Sequence, residues 1–460
     1  MLKQVNLSEN RIPEGIKIKD IDFAAPFHDG LHYNAPARGV WNIVHTGMLI
    51  PETHQIYVCA QGCLRGVVLT AAEMNRMENM SWVALREKDM WNGEMESRVI
   101  EGCSHIVDEM KSRPKCILVY LSCMHLFEGC DFKVIAQELS ERYPDIEWVD
   151  CYMTPTMRKT FEPMVMMKKS LYSPVKKLIP DPKKIGLIGC DRATDKTCEI
   201  YSLLNEAGMQ MWDISECRTY GDYLSLGEAS MLISYLPVVS YAARDLTNKL
   251  EIPHLAVDLS YDEKEIEENL KAFCGAINNI KDSDESGSNK ITDDFLNTLI
   301  KENKEKAKES LLKAKDIIKE APIAIDATAT PRPLGLAVLL KQYGFNVKRI
   351  YADTFGPKER EAFEELCKLD GDIEIFPLMD PTMLYASNEN EESTSEYLCI
   401  GQNSAYFCQT RKFVNIVEGG GMYGFDGIRH LGEMMTEAYL NEKDLKITIS
   451  HKGLECESCL

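Results

Sequence analysis

The sequence predicts an α/β protein of three tandem doubly wound units, each a parallel sheet covered by helices on both faces. Short apolar runs alternate with stretches of helical spacing along most of the 460 residues. The runs are continuous rather than alternating in polarity, the pattern of strands buried on both faces. The rhythm restarts twice, near residue 183 and after the polar break "KDSDESGSNK" at 281–290. The expected division is a first α/β unit over 1–180, a second over 181–280, a linker at 281–291, a third unit with a leading helix over 292–445, and a tail at 446–460.

In the first unit "QIYVCA" (55–60) is strand-like and "LTAAEMNRMENM" (69–80) has the Leu, Ala and Met spacing of a helix. The segment from Met95 to Ser112 gathers Val99, Ile100, Cys103, Ile106, Val107 and Met110 on one side of a helix. "CILVYLS" (116–122) is a buried strand, "DFKVIAQELSERY" (131–143) a helix and "IEWVDCY" (146–152) a strand. The second unit opens with the strand "KKIGLIGC" (183–190) and the helix "DKTCEIYSLLNEAG" (195–208), which Gly208 stops. "MQMWDIS", "SMLISYL" and "HLAVDLS" supply its other strands. A charged helix over 292–320 leads to "APIAIDATAT", the helix "LGLAVLLKQYG" ending at Gly344, and the strands "NVKRIYAD", "IEIFPL", "EYLCIG" and "FVNIVEG".

Composition removes several classes of function. Net charge is −20 and no block of Lys or Arg is long enough to follow a phosphate backbone, so nucleic acid is not an expected partner. "MLKQVNLSEN" lacks an apolar signal core and no run reaches the roughly 20 apolar residues of a bilayer span, so a cytoplasmic protein without membrane association is expected. Reducing cytosol disfavours disulfides as the purpose of the 16 cysteines. Cys116, Cys190, Cys198, Cys274, Cys367 and Cys399 fall inside strand or helix patterns and are expected to be small core residues.

The motifs narrow the rest. "GGGMYG" (419–424) satisfies G-x-G-x-x-G but lies in the last unit, away from the opening turn of a nucleotide-binding domain, so no NAD is expected. No G-x-x-x-x-G-K-[ST] occurs, so the chain should not hydrolyse ATP through a P-loop. Cys59-x3-Cys63 lacks the third cysteine of a radical-SAM triad, because position 66 is Gly66. "CESC" (Cys456, Cys459) has metal or redox spacing, but as a single pair. Cys59, Cys63 and Cys123 differ from the other thiols because they fall where strands end. Loops there offer solvent access and backbone N–H donors, and helix N-termini offset a cluster's negative charge, which suits iron–sulfur ligation. Cys130, seven beyond Cys123, is a further thiol that could join.

In order and spacing, "ARGVWNIV" (37–44), "CAQGCLRG" (59–66), "NGEMESRVIEG" (92–102), "LSCMHLFEGCDF" (121–132) and "GMYGFDGIRHLGEMM" (421–435) resemble the nitrogenase component 1 superfamily over about Ala35 to Leu440. That family contains the molybdenum–iron protein subunits, scaffolds that assemble their cofactor, and reductases and a reductive cyclase acting on tetrapyrroles. The resemblance implies three tandem Rossmann-like domains. It also implies an iron–sulfur cluster, [4Fe-4S] or larger, with Cys63 and Cys123 as two of its ligands. The family's first cluster cysteine should fall near Asn34, where no thiol stands, and Cys59 is expected to take its place. The cysteine and histidine that anchor the iron–molybdenum cofactor are replaced here by Tyr235 and Tyr423. Phenols are poor substitutes for a thiolate and an imidazole, so that cofactor is not expected. Tyr235 and Tyr423 are instead expected to line a substrate cavity between the three domains.

By this resemblance the chain is a subunit of a nitrogenase-like oxidoreductase. It would relay electrons from a separate P-loop, ATP-dependent iron–sulfur reductase, through the cluster, to a substrate or cofactor in the cavity. It would pair with a homologous subunit or with a second copy of itself. The alternatives are a scaffold for metallocofactor assembly, or a catalytically inert partner subunit of such a complex.

Overall fold

The computed structural model describes residues 14–27, 32, 33, 35, 36, 43–154, 163–282, 290–386 and 396–450. The strands are β1 (Ile16–Lys17), β2 (Thr53–Ala60), β3 (Met80–Leu85), β4 (Cys116–Ser122), β5 (Glu147–Met153), β6 (Asp181–Leu187), β7 (Gln210–Asp213), β8 (Ala229–Ser234), β9 (His254–Ala256), β10 (Pro322–Asp326), β11 (Asn346–Tyr351), β12 (Glu374–Phe376), β13 (Leu398–Ile400) and β14 (Phe413–Val414). They form three sheets with the orders β3-β2-β4-β5, β7-β6-β8-β9 and β1-β12-β11-β10-β13-β14. Every pairing is parallel except β1 with β12. The fold is therefore three doubly wound α/β layers in tandem, as expected from the alternation of apolar runs and helices.

Two strands depart from expectation. β3 begins at Met80, the last residue of the stretch taken as helix, and was not expected; the helix itself, Gln61–Glu73, starts eight residues before that stretch and ends at Glu73. β3 is an edge strand whose inner residues alternate with exposed ones, so it has none of the continuous apolar character of β2 and β4. β1 lies within the segment assigned to the first unit yet pairs with the third sheet, Ile16 against Ile375, and Lys17 and Lys19 reach Asp372 across the joint.

The strand orders fix where ligands can bind. In each sheet the chain winds first to one side and then to the other, leaving a crevice beyond the carboxyl ends of the two strands at the reversal. These pairs are β2 and β4, β6 and β8, and β10 and β13. The third crevice is filled from within. Asp326 accepts from the N–H groups of Thr328 (3.0 Å) and Ser404 (2.8 Å), Asn403 Nδ2 donates to Thr328 Oγ1 (3.1 Å), and Gly401 leaves room for the Asp326 carboxyl.

Units one and two are joined by a buried charge. Lys168, in the helix Pro163–Leu171, is fully buried and paired with Asp191 in the loop after β6, and Asp191 also accepts from Thr46 Oγ1 at 2.8 Å. Burial pushes the Asp191 carboxyl up, but Lys168 and His45 more than offset this, and the net direction is below the ordinary 3.8. The pair's contribution to stability is therefore in place above that value and fades as pH falls below it. Lys168→Met leaves a buried carboxylate without its cation and is expected to destabilise the chain by about 3–5 kcal/mol, read as a lower urea midpoint. Adding Asp191→Leu should recover much of that loss.

Candidate functional site

The crevice between β2 and β4 carries two of the expected thiols. The strands run in register from Thr53 against Cys116 to Val58 against Leu121, so they end side by side. Cys63 lies in the first turn of the helix Gln61–Glu73 that follows β2, and Cys123 opens the helix Cys123–Glu128 that follows β4. Cys63 is exposed and Cys123 half-buried. Gly62 and Gly66, on either side of Cys63, face open space. Beside Cys123, His125 Nδ1 accepts the Ser122 N–H at 3.1 Å, which places the ring proton on Nε2, and that buried Nε2 has no acceptor among the described residues. Leu69, Trp91, Leu126 and Phe127 are exposed on the helices that follow β2, β3 and β4.

The other expected ligands lie elsewhere. Cys59 is inside β2, fully buried in the core with Tyr57, Leu64 and Tyr120, and desolvation pushes its thiol up to about 12. Cys130 lies past the Gly129 cap (φ 76°), at the opposite end of the short helix from Cys123. Among the described residues no group of three or more Cys, His, Asp or Glu side chains stands ready to hold a metal ion. Asn34 and the Cys456/Cys459 pair lie outside the described residues. Cys116, Cys190, Cys198, Cys274 and Cys399 are core residues as expected, and Cys367 is partly exposed.

A second concavity of about 800 Å³ opens where the three units meet. The first unit lines it with residues that precede or begin β2, among them Ile50, Glu52 and Gln55. The loop after β6 contributes Asp191, Arg192, Ala193 and Asp195, and the third unit contributes Ile416, Met422, His430 and Met434. Cavity and thiol corner thus lie at opposite ends of β2, and the strand between Gln55 and Ala60 spans about 17 Å at ~3.3 Å per residue. Tyr57 and Tyr120 stack between them, with ring centroids 4.3 Å apart and planes 8° from parallel, and Tyr57 OH donates to Gln55 Oε1 at 2.7 Å.

Tyr235 and Tyr423 come together, 5.4 Å between ring centroids, but they stand one layer behind the cavity and are not among its lining residues. Both are buried. Tyr235 OH pairs with Thr194 Oγ1 at 2.8 Å, and the Tyr423 hydroxyl has no hydrogen-bond partner among the described residues. They back the wall that Ala193, Asp195 and Met422 present to the cavity. The glycines of "GGGMYG" serve the same joint. A Cβ on Gly421 would lie 2.1 Å from the Ala193 carbonyl, and one on Gly424 (φ +66°) would lie 2.3 Å from Glu199 Oε2. The motif is a tight seam between the second and third units.

Lys168, Asp195 and His430 went unremarked in the sequence. His430 Nδ1 meets Asp195 Oδ2 at 2.8 Å on the cavity wall, and this hydrogen bond is the main cause that raises the imidazole above its ordinary 6.5. The pair can hold a proton at the cavity to higher pH than an isolated imidazole would. The available signal was "GCDRATD" (189–195), a charged loop directly past a strand's carboxyl end, where doubly wound sheets place their ligands. Asp195→Asn is expected to lower the His430 pKa toward 6.5, followed by NMR titration of carbon-13-labelled histidine.

Glu199, at the start of the helix Glu199–Glu206, is fully buried, and its Oε1 accepts the Asp426 N–H at 3.1 Å. Burial raises its carboxyl from the ordinary 4.5 to about 7. The unfolded chain then ionises first as pH rises, so stability falls between those two values and levels off above them. Glu199→Gln removes this fall. Its melting temperature relative to wild type is expected to rise between about pH 5 and about pH 8.

The comparisons agree with this architecture. The family model for "Nitrogenase component 1 type Oxidoreductase" matches residues 44–440. Among solved structures, "Nitrogenase Cp1 at pH 6.5" superposes with a TM-score of 0.65 at 15% identity, covering 92% of this chain and 95% of that one. "Nitrogenase Cp1 at pH 5" gives a TM-score of 0.55 at 13% identity, covering 88% and 90%. No curated protein sequence matches the chain. A family match over most of its length, on three doubly wound sheets in tandem, establishes that the chain belongs to the nitrogenase component 1 type oxidoreductases.

Proposed function

We propose that the chain is an electron-relaying subunit of a nitrogenase-like iron–sulfur oxidoreductase. The observation that carries this reading is that Cys63 and Cys123 each stand in the first turn of a helix that follows one of two adjacent strands, at the edge where a doubly wound sheet binds its ligand. The residues present fit one side of an iron–sulfur cluster. Two thiols stand on the first turns of two helices, and the buried His125 Nε2–H beside Cys123 lacks an acceptor. A [4Fe-4S] cluster takes four thiolates, so the remaining ligands would come from a homologous subunit or a second copy of the chain. The exposed Leu69, Trp91, Leu126 and Phe127 suit such an apposed surface. When bound, the cluster would supply one-electron redox chemistry.

The chain's own residues account for the rest of the reading. β2 joins the thiol corner to the cavity, with the stacked Tyr57 and Tyr120 in the interval. The cavity receives the substrate, and His430 with Asp195 holds a proton at its wall. In this reading ATP coupling belongs to a separate iron–sulfur reductase, in keeping with a sequence that carries no P-loop motif. Cys59, enclosed in the core of β2, is assigned to packing rather than to the expected third ligand position.

Anaerobic reconstitution followed by iron and sulfide counting tests the reading. Wild-type protein is expected to take up a cluster, and Cys63→Ser and Cys123→Ser are each expected to lose most of the iron. Cys59→Ala should lower the unfolding midpoint and leave the iron content in place. Full iron in both the Cys63 and Cys123 variants would remove the basis for the assignment.

A further inference from the structure

We propose that Cys399 and Cys408 form a redox-active dithiol in the third unit, a site that a small peroxide oxidises to a disulfide. The pair stands apart from both the thiol corner and the cavity. Sheet register brings its surroundings together. Cys399 in β13 pairs with Ala324 in β10, and Ala324 pairs on its other side with Arg349 in β11. Tyr351, two residues further along β11, faces the same way. Alanine is small, so this face of the sheet has a gap over β10 into which longer neighbours lean. The helix Gln402–Cys408 packs over the gap, and its last residue places Cys408 Sγ 3.4 Å from the Tyr351 hydroxyl. Cys399 and Cys408 are hydrogen-bonded to each other, and the Arg349 guanidinium also reaches Cys408.

These neighbours divide the labour between the two thiols. Both are buried, yet buried thiols elsewhere behave differently: desolvation pushes Cys59 and Cys103 up to about 12. Cys408 is held below the ordinary 9.0 by the Cys399 thiol, the Tyr351 hydroxyl and the Arg349 guanidinium, which together outweigh its burial. Cys399 is pushed up by desolvation and by its bond to Cys408. Cys408 is thus the nucleophile and Cys399 the thiol that resolves it. The donors are fixed in place. Tyr351 stacks on Phe376 and Phe407, with ring centroids 5.3 and 5.4 Å away. Arg349 lies over the Phe376 and Tyr397 rings and meets Glu374 at 3.3 Å. Its side chain is 32% exposed, so the dithiol lies one side chain below the surface, within reach of a molecule as small as hydrogen peroxide.

The oxidation balances with one peroxide. The Cys408 thiolate attacks a peroxide oxygen, the O–O bond breaks, and the released hydroxide takes the Cys399 proton and leaves as water. The Cys399 sulfur then displaces hydroxide from the resulting sulfenic acid and forms the S–S bond. That hydroxide takes the proton first shed by Cys408 and leaves as a second water. Two thiols lose two electrons and two protons, and the peroxide gains them.

Peptide mapping of the full chain tests this, because the tryptic peptide 369–411 contains Cys399 and Cys408 and no other cysteine. Native protein is treated with hydrogen peroxide, blocked with N-ethylmaleimide in urea, and digested. The peptide is expected to be about 2 Da lighter and unlabelled at both cysteines, and dithiothreitol before blocking should restore both labels. Arg349→Gln and Tyr351→Phe, with unchanged circular dichroism, are each expected to slow the oxidation about 10-fold. Cys399→Ser should leave Cys408 as a sulfenic acid that dimedone traps. Maleimide on both cysteines after peroxide treatment, or linkage of either to a different cysteine, would overturn the proposal. Wild-type rates in both the Arg349 and Tyr351 variants would overturn the activation of Cys408.

Discussion

One buried ion pair holds the centre of this molecule. A lysine side chain inside a protein must be matched by an anion, and Lys168 has Asp191. That requirement pins the loop after β6 to the first unit, and its next four residues then meet other elements. Ala193 presents its carbonyl to Gly421, Thr194 holds the hydroxyl of Tyr235, and Asp195 takes His430 from the third unit. Arg192 and both acidic residues face the cavity. Four of the five residues from Asp191 to Asp195 thus contact elements of all three units, and they shape one wall of the cavity.

The placement of thiols and cavity follows from β2. In a parallel sheet the carboxyl and amino ends of a central strand open to opposite edges, and in this chain each edge carries a candidate site. The carboxyl edge has helix N-termini, the exposed Cys63 and the half-buried Cys123, an environment suited to a negatively charged inorganic centre. The amino edge meets the other two units and is walled by arginines and sulfur-containing side chains. Between them lies a dry interval of buried strand with two stacked phenols. A reacting molecule in the cavity would be kept away from the thiol corner while remaining joined to it by one continuous piece of rigid structure.

The residues that were legible in the sequence are those whose role depends on local pattern. β2 and β4 stood out as continuous apolar runs, and Cys63 and Cys123 stood out because each follows such a run directly. By the same local logic Cys59 read as a strand-end thiol, yet it lies inside β2 in a sealed core, two residues before the exposed Gln61. β3 escaped because edge strands alternate in burial, and its sequence continues the Met and Leu spacing of the preceding helix. Tyr235 and Tyr423, expected to line the cavity, lie against each other and outside its lining: sequence gives no sign of which layer of a wall a buried ring occupies. Lys168 with Asp191 and Asp195 with His430 were illegible, because charges 23 and 235 residues apart become partners only through the tertiary fold.

The pairing of β1 with β12 has a consequence for biosynthesis. Lys17 and Asp372 are 355 residues apart in the chain. At about 5–20 residues per second the ribosome needs roughly 20–70 s to cover that interval. The earliest strand to emerge therefore waits for one of the last, and the nascent polypeptide carries an unmatched extended segment throughout. That edge of the third sheet therefore closes only after more than three hundred residues of intervening chain have been made.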